Sequence, residues 1–521
     1  MAKKGFPPIV YILSLLALVA VIHGLMQSGR WPPPIAGMGG VKAGGQTKAK
    51  TLRLLGDTFS GYSTFRDADF QALLAESGLR LVYDDVFSQD ERATQLDRGT
   101  ADLLVTTIDR FLQHQPQGQI VALIDRTIGA DAVVLNTPKY PQLKSLNDLQ
   151  ALQASGTTPS ITYAEDTPSE YLARVLNVQF EGFDLGRFQV LGVAEASDAW
   201  ALLQDPNQAI AVAVLWEPFV TQARRQGYTV VLSSHDTPNT IVDVLVASDR
   251  VIAQCPEAIV GLLTAYYRHI DSNTQNNARL KTQIQTDGDL SAEEAELVLN
   301  GIDFFTSVEA AQWMQDGTLA QRLQATGAIL TLAGELNAPP AQPKTLYSDQ
   351  FIREAVTNTE TLIGLIEADN PPLAAALRGK PIATDAEAPA TNPDADREQI
   401  KAAAPIGNLN VRGEVTFATG SAQLTPASLQ TLNQLATEIG EFNQDTVAIR
   451  IIGHTSQTGA AQLNQTLSQQ RAQAVVTYLQ SRGLDRKIIA EGKGYSETLP
   501  NIPPTDERNQ RTEIRLVRLE P

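Results

Sequence analysis

Two spacings of apolar positions alternate along most of this chain. From Thr51 onward, short apolar runs of strand length are separated by amphipathic stretches with helical spacing. Thr51–Leu55 predicts a strand, and Asp67–Ser77 a helix with Phe70, Leu73 and Leu74 on one face. Leu79–Tyr83 predicts a strand, Asp90–Arg98 a helix, and Leu103–Thr106 and Ile120–Ile124 two more strands. The rhythm resumes with the strand Ser160–Tyr163, the helix Ser169–Leu176, the strand Phe188–Leu191, the helix Ala196–Leu203 and the strand Ala209–Leu215. Helices dominate from Pro256 to about Leu332. Such alternation predicts an α/β unit over 51–350 with a largely parallel sheet.

The two ends follow different patterns. Ile9–Met26 is an apolar run broken only by Ser14, His23 and Gly24. As a helix it would span roughly 27 Å, near the thickness of a bilayer core. Residues 1–30 therefore read as a transmembrane anchor; a cleaved signal or a buried helix are the other readings. Lys3 and Lys4 favour the amino end inside, which for a single-pass protein puts the bulk of the chain outside. Residues 31–50 are rich in Pro, Gly, Ala and Lys, a flexible spacer. Residues 351–408 read as a helical extension followed by a Pro-, Ala- and Asp-rich linker. The last domain, 409–521, alternates again. Glu414–Phe417, Thr446–Gly453, Lys487–Gly492 and Thr512–Val517 predict strands, and Pro426–Phe442 and Ala460–Arg482 predict helices. That order fits a mixed sheet with two helices on one face.

Charge and chemistry narrow the function. A formal net charge of -17 argues against a nucleic-acid partner. One cysteine, Cys255, excludes an internal disulfide or a CxxC redox pair. The five histidines, His23, His114, His235, His269 and His454, are scattered without metal-ligand spacing, and no cofactor motif stands out. No catalytic triad, P-loop or dinucleotide motif appears, so the expectation is a non-enzymatic protein.

The candidate chemistry of the last domain lies in Gly453-His454-Thr455-Ser456-Gln457-Thr458-Gly459 and in Asn464, Leu467, Ser468 and Arg471. The last four stand at i, i+3, i+4 and i+7, on one helix face beside the loop that follows a strand. Arg471 could fork onto a carboxylate there, or simply be a surface arginine. Together with Phe417-Ala418-Thr419-Gly420-Ser421-Ala422-Gln423-Leu424, Leu467-Ser468-Gln469-Gln470-Arg471-Ala472, Gly492-Lys493-Gly494-Tyr495 and Asn509-Gln510-Arg511-Thr512-Glu513, this segment resembles the OmpA-like peptidoglycan-binding family over about 110 residues. The resemblance implies a site at Arg471, Ser456, Thr455, Asn464 and Ser468 for the diaminopimelate of the cell-wall peptide. The family's Asp stands here as Ser456. A hydroxyl in place of a charge-assisted partner costs roughly 1.5–3 kcal/mol, so weak binding is expected.

The segment 51–350 resembles periplasmic solute-binding proteins of the type that captures aliphatic sulfonates, nitrate or thiamine precursors for ABC importers. The carrying pieces are Gly61-Tyr62-Ser63, Gly99-Thr100-Ala101-Asp102-Leu103, Gly129-Ala130-Asp131-Ala132, Thr167-Pro168-Ser169-Glu170-Tyr171 and Val214-Leu215-Trp216-Glu217-Pro218. The resemblance implies two α/β lobes around a cleft lined by Tyr62, Ser63, Thr106, Thr107, Ser169 and Trp216. Free N–H groups at the helix start Thr167-Pro168-Ser169 would suit an anion. Arg126 would favour an anion, whereas Asp131 and Asp243 would favour a cation; Glu217 reads as structural. The expected whole is a membrane-anchored envelope protein binding peptidoglycan and a small solute. An importer receptor with an ABC permease as partner, and a purely structural tether, are the alternatives.

Overall fold

The computed structural model describes residues 49–367 and 393–519, except 155, 157, 274–276 and 485, together with 371, 374 and 375. The expected anchor and residues 31–48 of the expected spacer lie outside the described residues. Of the linker expected over about 380–408, residues 380–392 lie outside them, while 393–408 forms instead the helix Pro393–Ala402 and the strand Ala404–Asn408. Among the described residues no helix is long and apolar enough to cross a membrane.

The chain lays down β1 (Lys50–Gly56), β2 (Leu79–Asp85), β3 (Leu103–Thr107) and β4 (Gly118–Thr127) in a first lobe. It then crosses to a second lobe for β5 (Asp131–Leu135), β6 (Ser160–Ala164), β7 (Gln189–Val193), β8 (Ile210–Trp216) and β9 (Thr229–Ser233). It returns for β10 (Val242–Ser248) and β11 (Ile302–Phe304). The first sheet runs β11-β4-β10-β3-β1-β2 and the second β7-β6-β8-β5-β9. Neither is largely parallel. β1 is parallel to β2 and β3, but β10 pairs antiparallel with β3 and β4, and β5 pairs antiparallel with β8 and β9. The departure has a topological cause. Strands that carry the chain between lobes enter their sheets from the opposite end to strands built by local crossovers.

The two crossings lie side by side. Ser234 accepts hydrogen bonds on its Oγ from the amides of Gly129 (2.8 Å) and Asp131 (3.2 Å), and its own amide donates to the Asp131 carbonyl. β3, β5 and β10 are buried along their whole length, as expected for strands covered on both faces. The helix Arg353–Ile366 lies against the helices Pro256–Asn273 and Ser307–Gln315, burying Ala355 and Ile363.

The last domain forms a sheet in the order β12-β15-β13-β14, from β12 (Ala404–Asn408), β13 (Val447–Gly453), β14 (Ile488–Gly492) and β15 (Thr512–Arg518). Its first strand is not the predicted Glu414–Phe417. That run is used up at the start of the helix Pro426–Gly440, where the Thr416 amide donates to Ser428 Oγ (2.8 Å) and the Thr425 amide to the Thr416 carbonyl. β12 forms instead at the sheet edge, where Pro405 needs no ladder donor.

This domain is not a free appendage. Its core is continuous with that of the second lobe: Leu146, Phe180 and Phe183 pack in one cluster with Ile406, Leu409 and Phe442. Phe180 and Phe442 meet edge to face at 6.2 Å. Backbone amides of Leu146, Glu181 and Asn410 donate to the carbonyls of Ile406, Asn408 and Gln179 across the joint. Gly407 is required there, since a Cβ would sit 3.0 Å from the Phe180 ring and 3.2 Å from Leu146. Arg518 pairs with Asp236, which lies on the returning crossing, and Arg322 with Glu441 at 2.5 Å. Removing the Phe442 ring opens a cavity at this joint. Phe442→Ala is expected to cost about 3–5 kcal/mol, and hydrogen exchange should quicken at the amides of Leu146, Glu181 and Asn410.

Candidate functional site

Two places gather the residues singled out from the sequence. The first is the corner of the last domain. β13 ends at Gly453 and delivers the loop His454–Gly459, and the helix Ala461–Ser481 starts beside it. Gly453 and Gly492 allow this helix to lie directly on the strand ends, because a Cβ at either would sit 2.4 Å from helix backbone atoms. Asn464 donates to the Thr458 carbonyl (2.8 Å) and holds the loop. Ser468 Oγ accepts from the Gly494 amide (2.9 Å) and donates to the Gln465 carbonyl, so it fastens helix to loop. These two side chains are thus spent on building the corner. Thr455 is buried, with its hydroxyl unpartnered and its amide bonded to the Gly494 carbonyl (2.7 Å).

Arg471 is only 7% exposed. Its Nε donates to the Ser421 carbonyl (3.0 Å) and its guanidinium lies over the Phe417 ring at 5.1 Å. It makes no ion pair among the described residues, and burial pulls its pKa below the ordinary arginine value. Gln510 links it to the loop: Arg471 Nη1 donates to Gln510 Oε1 (3.5 Å), and Gln510 Nε2 donates to Ser456 Oγ (3.4 Å). Gln510 and the Phe417 platform belong to this corner, although the expected set of Arg471, Ser456, Thr455, Asn464 and Ser468 did not include them. The chain Arg471–Gln510–Ser456 presents a buried cation backed by neutral hydrogen-bonding groups, which suits a carboxylate and offers no charge to an ammonium.

The second place is the seam between the lobes. Tyr62 follows β1, is buried, and donates its hydroxyl to Asp243 at the start of β10. Thr107 ends β3 directly opposite Asp243. Asp131 opens β5 directly opposite Trp216, so their side chains share one face. Ser169 Oγ lies 3.5 Å from Asp131 Oδ1. These residues meet at the seam. Ser63 and Thr106 are engaged elsewhere: Ser63 Oγ accepts from Gln283 (2.9 Å), and Thr106 donates to Gln89 Oε1 (2.9 Å). Glu217 accepts from the Thr221 amide (3.0 Å) and hydroxyl (2.9 Å) and shapes the turn after β8.

The helix Pro168–Gln179 does begin with a Thr167 cap and Pro168 at its first position. Its start is fronted by the carboxyl group of Asp131, so this chain's own acid occupies the place an anion would take. Arg126 is turned away. It pairs with Asp303 (2.6 Å) and Glu309 (2.9 Å) and stacks near Phe305 and Trp313. Arg92 is held by Asp57 (2.5 Å) and the carbonyls of Val86 and Val105. Arg110 spans the seam, pairing with Asp109 (3.2 Å) in the first lobe and Asp166 (3.3 Å) and Glu170 (3.0 Å) in the second.

Asp125, which the sequence reading did not single out, is the residue that changes this picture. It is fully buried on β4, and neither of its oxygens has a hydrogen-bond partner. Gly61 permits the contact, since a Cβ there would sit 2.3 Å from Asp125 Oδ2. Burial, then the charge of Asp243, pushes its pKa well above the usual carboxylate range. Asp243 is raised too, by burial and then by the charges of Asp57, Asp109 and Asp131, against the Tyr62 hydrogen bond. The signal was present in the sequence: Asp125 closes the run Ile120–Ile124, where an apolar residue is the norm for a doubly covered strand.

Known proteins match the last domain most clearly. The OmpA family profile covers residues 416–512. Outer membrane protein A of Shimwellia blattae is 38% identical over 90 residues, which is 17% of this chain and 37% of that protein. The probable lipoprotein YiaD of Escherichia coli is 36% identical over 111 residues, 21% of this chain and 50% of that protein. The chain thus spans half or less of the length of these curated relatives. Among solved structures, the nitrate-binding protein NrtA of Synechocystis PCC 6803 aligns over 60% of this chain and 90% of its own, at 15% identity and a TM-score of 0.48. A sulfonate-binding protein of Escherichia coli covers 58% of this chain and 93% of its own, at 15% identity and a TM-score of 0.44. The desulfurization enzyme DszB covers 59% and 99%, at 11% identity and a TM-score of 0.43. These likenesses are too distant to pass a ligand or an activity to this chain. The protein carries a C-terminal domain that matches the OmpA family over residues 416–512, and before it a two-lobed α/β unit.

Proposed function

We propose that this is a cell-envelope protein that holds peptidoglycan through its OmpA domain and a small solute between its two lobes. The apolar run Ile9–Met26 would anchor it in the cytoplasmic membrane, with the bulk of the chain in the periplasm. The observation that carries the first half is Arg471, a buried guanidinium with no carboxylate partner in the corner where the domain gathers Ser456, Gln510 and Thr455. An unpaired buried cation is costly, and a carboxylate of a cell-wall peptide would relieve it. The ligand's ammonium would meet only the Ser456 hydroxyl, so binding is weak per site. Many sites on one polymer, met by a tethered protein, compensate.

The test is retention of the purified protein on isolated sacculi. Arg471→Ala should abolish retention. Ser456→Asp should strengthen it about ten- to a hundredfold, the worth of one charge-assisted contact. Retention that ignores both substitutions would refute the site. For the two-lobed unit, the seam between β4, β5 and β10 is the solute seat, and an ABC permease is a further partner if the solute is delivered for import. Uptake of that solute, lost when the gene is deleted, distinguishes the receptor from a fixed tether.

A further inference from the structure

The seam between the lobes has an unusual charge balance. Every arginine beside it is committed. Arg92 serves Asp57, Arg110 serves Asp109 and the second lobe, and Arg126 serves Asp303 and Glu309. Among the described residues three carboxyls there have no ion-pair partner: Asp125, Asp131 and Asp243, at most 6% exposed. Asp243 has one hydrogen bond from Tyr62 and Asp131 a long one from Ser169. Asp125 has none.

Among the described residues neither oxygen of Asp125 receives a hydrogen bond, and a proton on one oxygen leaves the other still without a donor. What the group lacks is a donor, and what its neighbours lack is positive charge. Among the described residues no three His, Cys, Asp or Glu side chains converge closely enough to hold a metal ion, so a group that serves all three acids must span the distance between them. The aromatic surroundings fit an organic group. Tyr62 is packed edge to face with Phe59 at 5.2 Å and donates into the acidic cluster, and Trp216 shares a face with Asp131. Aromatic walls beside carboxylates favour a cation that is part apolar.

We propose that the solute held between the lobes is an organic cation with N–H donors, a primary ammonium or an amidinium, seated against Asp125, Asp131 and Asp243 beside Tyr62 and Trp216. This rests on reading the two-lobed unit as a solute binder. The nitrogen supplies the donors that Asp125 lacks and the positive charge that the three acids share. An anion would find no free cation at these positions among the described residues, whereas a cation seated there favours the ionised form of acids that burial otherwise keeps protonated.

The test uses the full chain and matched probes: benzamidine, benzylamine and putrescine as cations, benzyl alcohol as a neutral match, taurine and nitrate as anions. Thermal shift and titration calorimetry read the binding. At least one cation should raise Tm and bind at least about tenfold more tightly than the neutral match. Asp125→Asn should weaken that cation by about tenfold or more while leaving the ligand-free fold intact by circular dichroism. Should that variant fail to fold, Asp243→Asn carries the same comparison. Taurine or nitrate binding that Asp125→Asn leaves unchanged would overturn the cation and keep the solute site. Silence from the cations overturns the inference, and silence from both sets takes the solute-binding reading with it.

Discussion

Asp131→Asn will stabilise the protein by about 4 kcal/mol at pH 8, and the gain will disappear near pH 4. Burial, with Glu217 nearby, pushes the Asp131 carboxyl up to about 7, against the hydrogen bond from Ser169. The unfolded chain sheds this proton near pH 4 and the folded chain near pH 7. Between those limits the folded state holds the extra proton, so stability falls as pH rises, at up to about 1.4 kcal/mol per pH unit for this one group. Above pH 7 the penalty is constant. Below pH 4 both states are protonated and the penalty is absent. Asparagine keeps the shape and removes the titration, so the slope should flatten in urea unfolding at pH 4, 6 and 8. A variant that is less stable than the parent at pH 8 would mean that the charged form is the one the fold supports. Such a cost kept at a seam between lobes is what a binding site does to its own ligand-free state.

Glu513→Gln will act in the opposite sense, destabilising the OmpA domain by about 3 kcal/mol at pH 7. Burial alone would raise the Glu513 pKa, yet His454, Arg511 and Arg515 together draw it down to about 2. Arg511 and Arg515 approach it at 2.6 and 2.8 Å. Since the folded pKa is depressed, the stabilisation is fully present above the ordinary value near 4.5 and is lost as pH falls through about 2. Glutamine cannot carry the charge, so the variant should lose that acid sensitivity along with the stability. The network also reaches the second lobe: Asn408 donates to Glu513 (3.3 Å) and accepts from Asn147 (3.1 Å) and Arg515 (2.9 Å). Near-ultraviolet circular dichroism across pH 2 to 7 checks both effects, and equal stability of variant and parent at pH 7 would refute the network's role.

Particular residues show where sequence reading succeeds and fails. The corner of the OmpA domain was legible because its signals are local. Asn464, Ser468 and Arg471 share a helix face by spacing alone, and Gly453 stands at the end of a strand that alternation identifies. Gln510 was not legible as a bridge, because the contact spans 39 residues to Arg471 and 54 to Ser456. The edge strand β12 was hidden by Pro405 and Gly407, which in composition read as linker. Pairing with β15 made it a strand, and packing on Phe180 made Gly407 necessary.

The α/β alternation, the helix start at Thr167-Pro168-Ser169 and the OmpA corner were determined by the sequence alone, because periodicity, capping and spacing act within a few residues. The tertiary structure decided the rest. It turned Arg126 away to Asp303 and Glu309, set Asp131 before the helix that had looked ready for an anion, and left Asp125 without a donor. Charge balance at a seam is a sum over residues far apart in the chain. Which arginine neutralises which carboxylate depends on the two crossings between the lobes, and no local pattern records it.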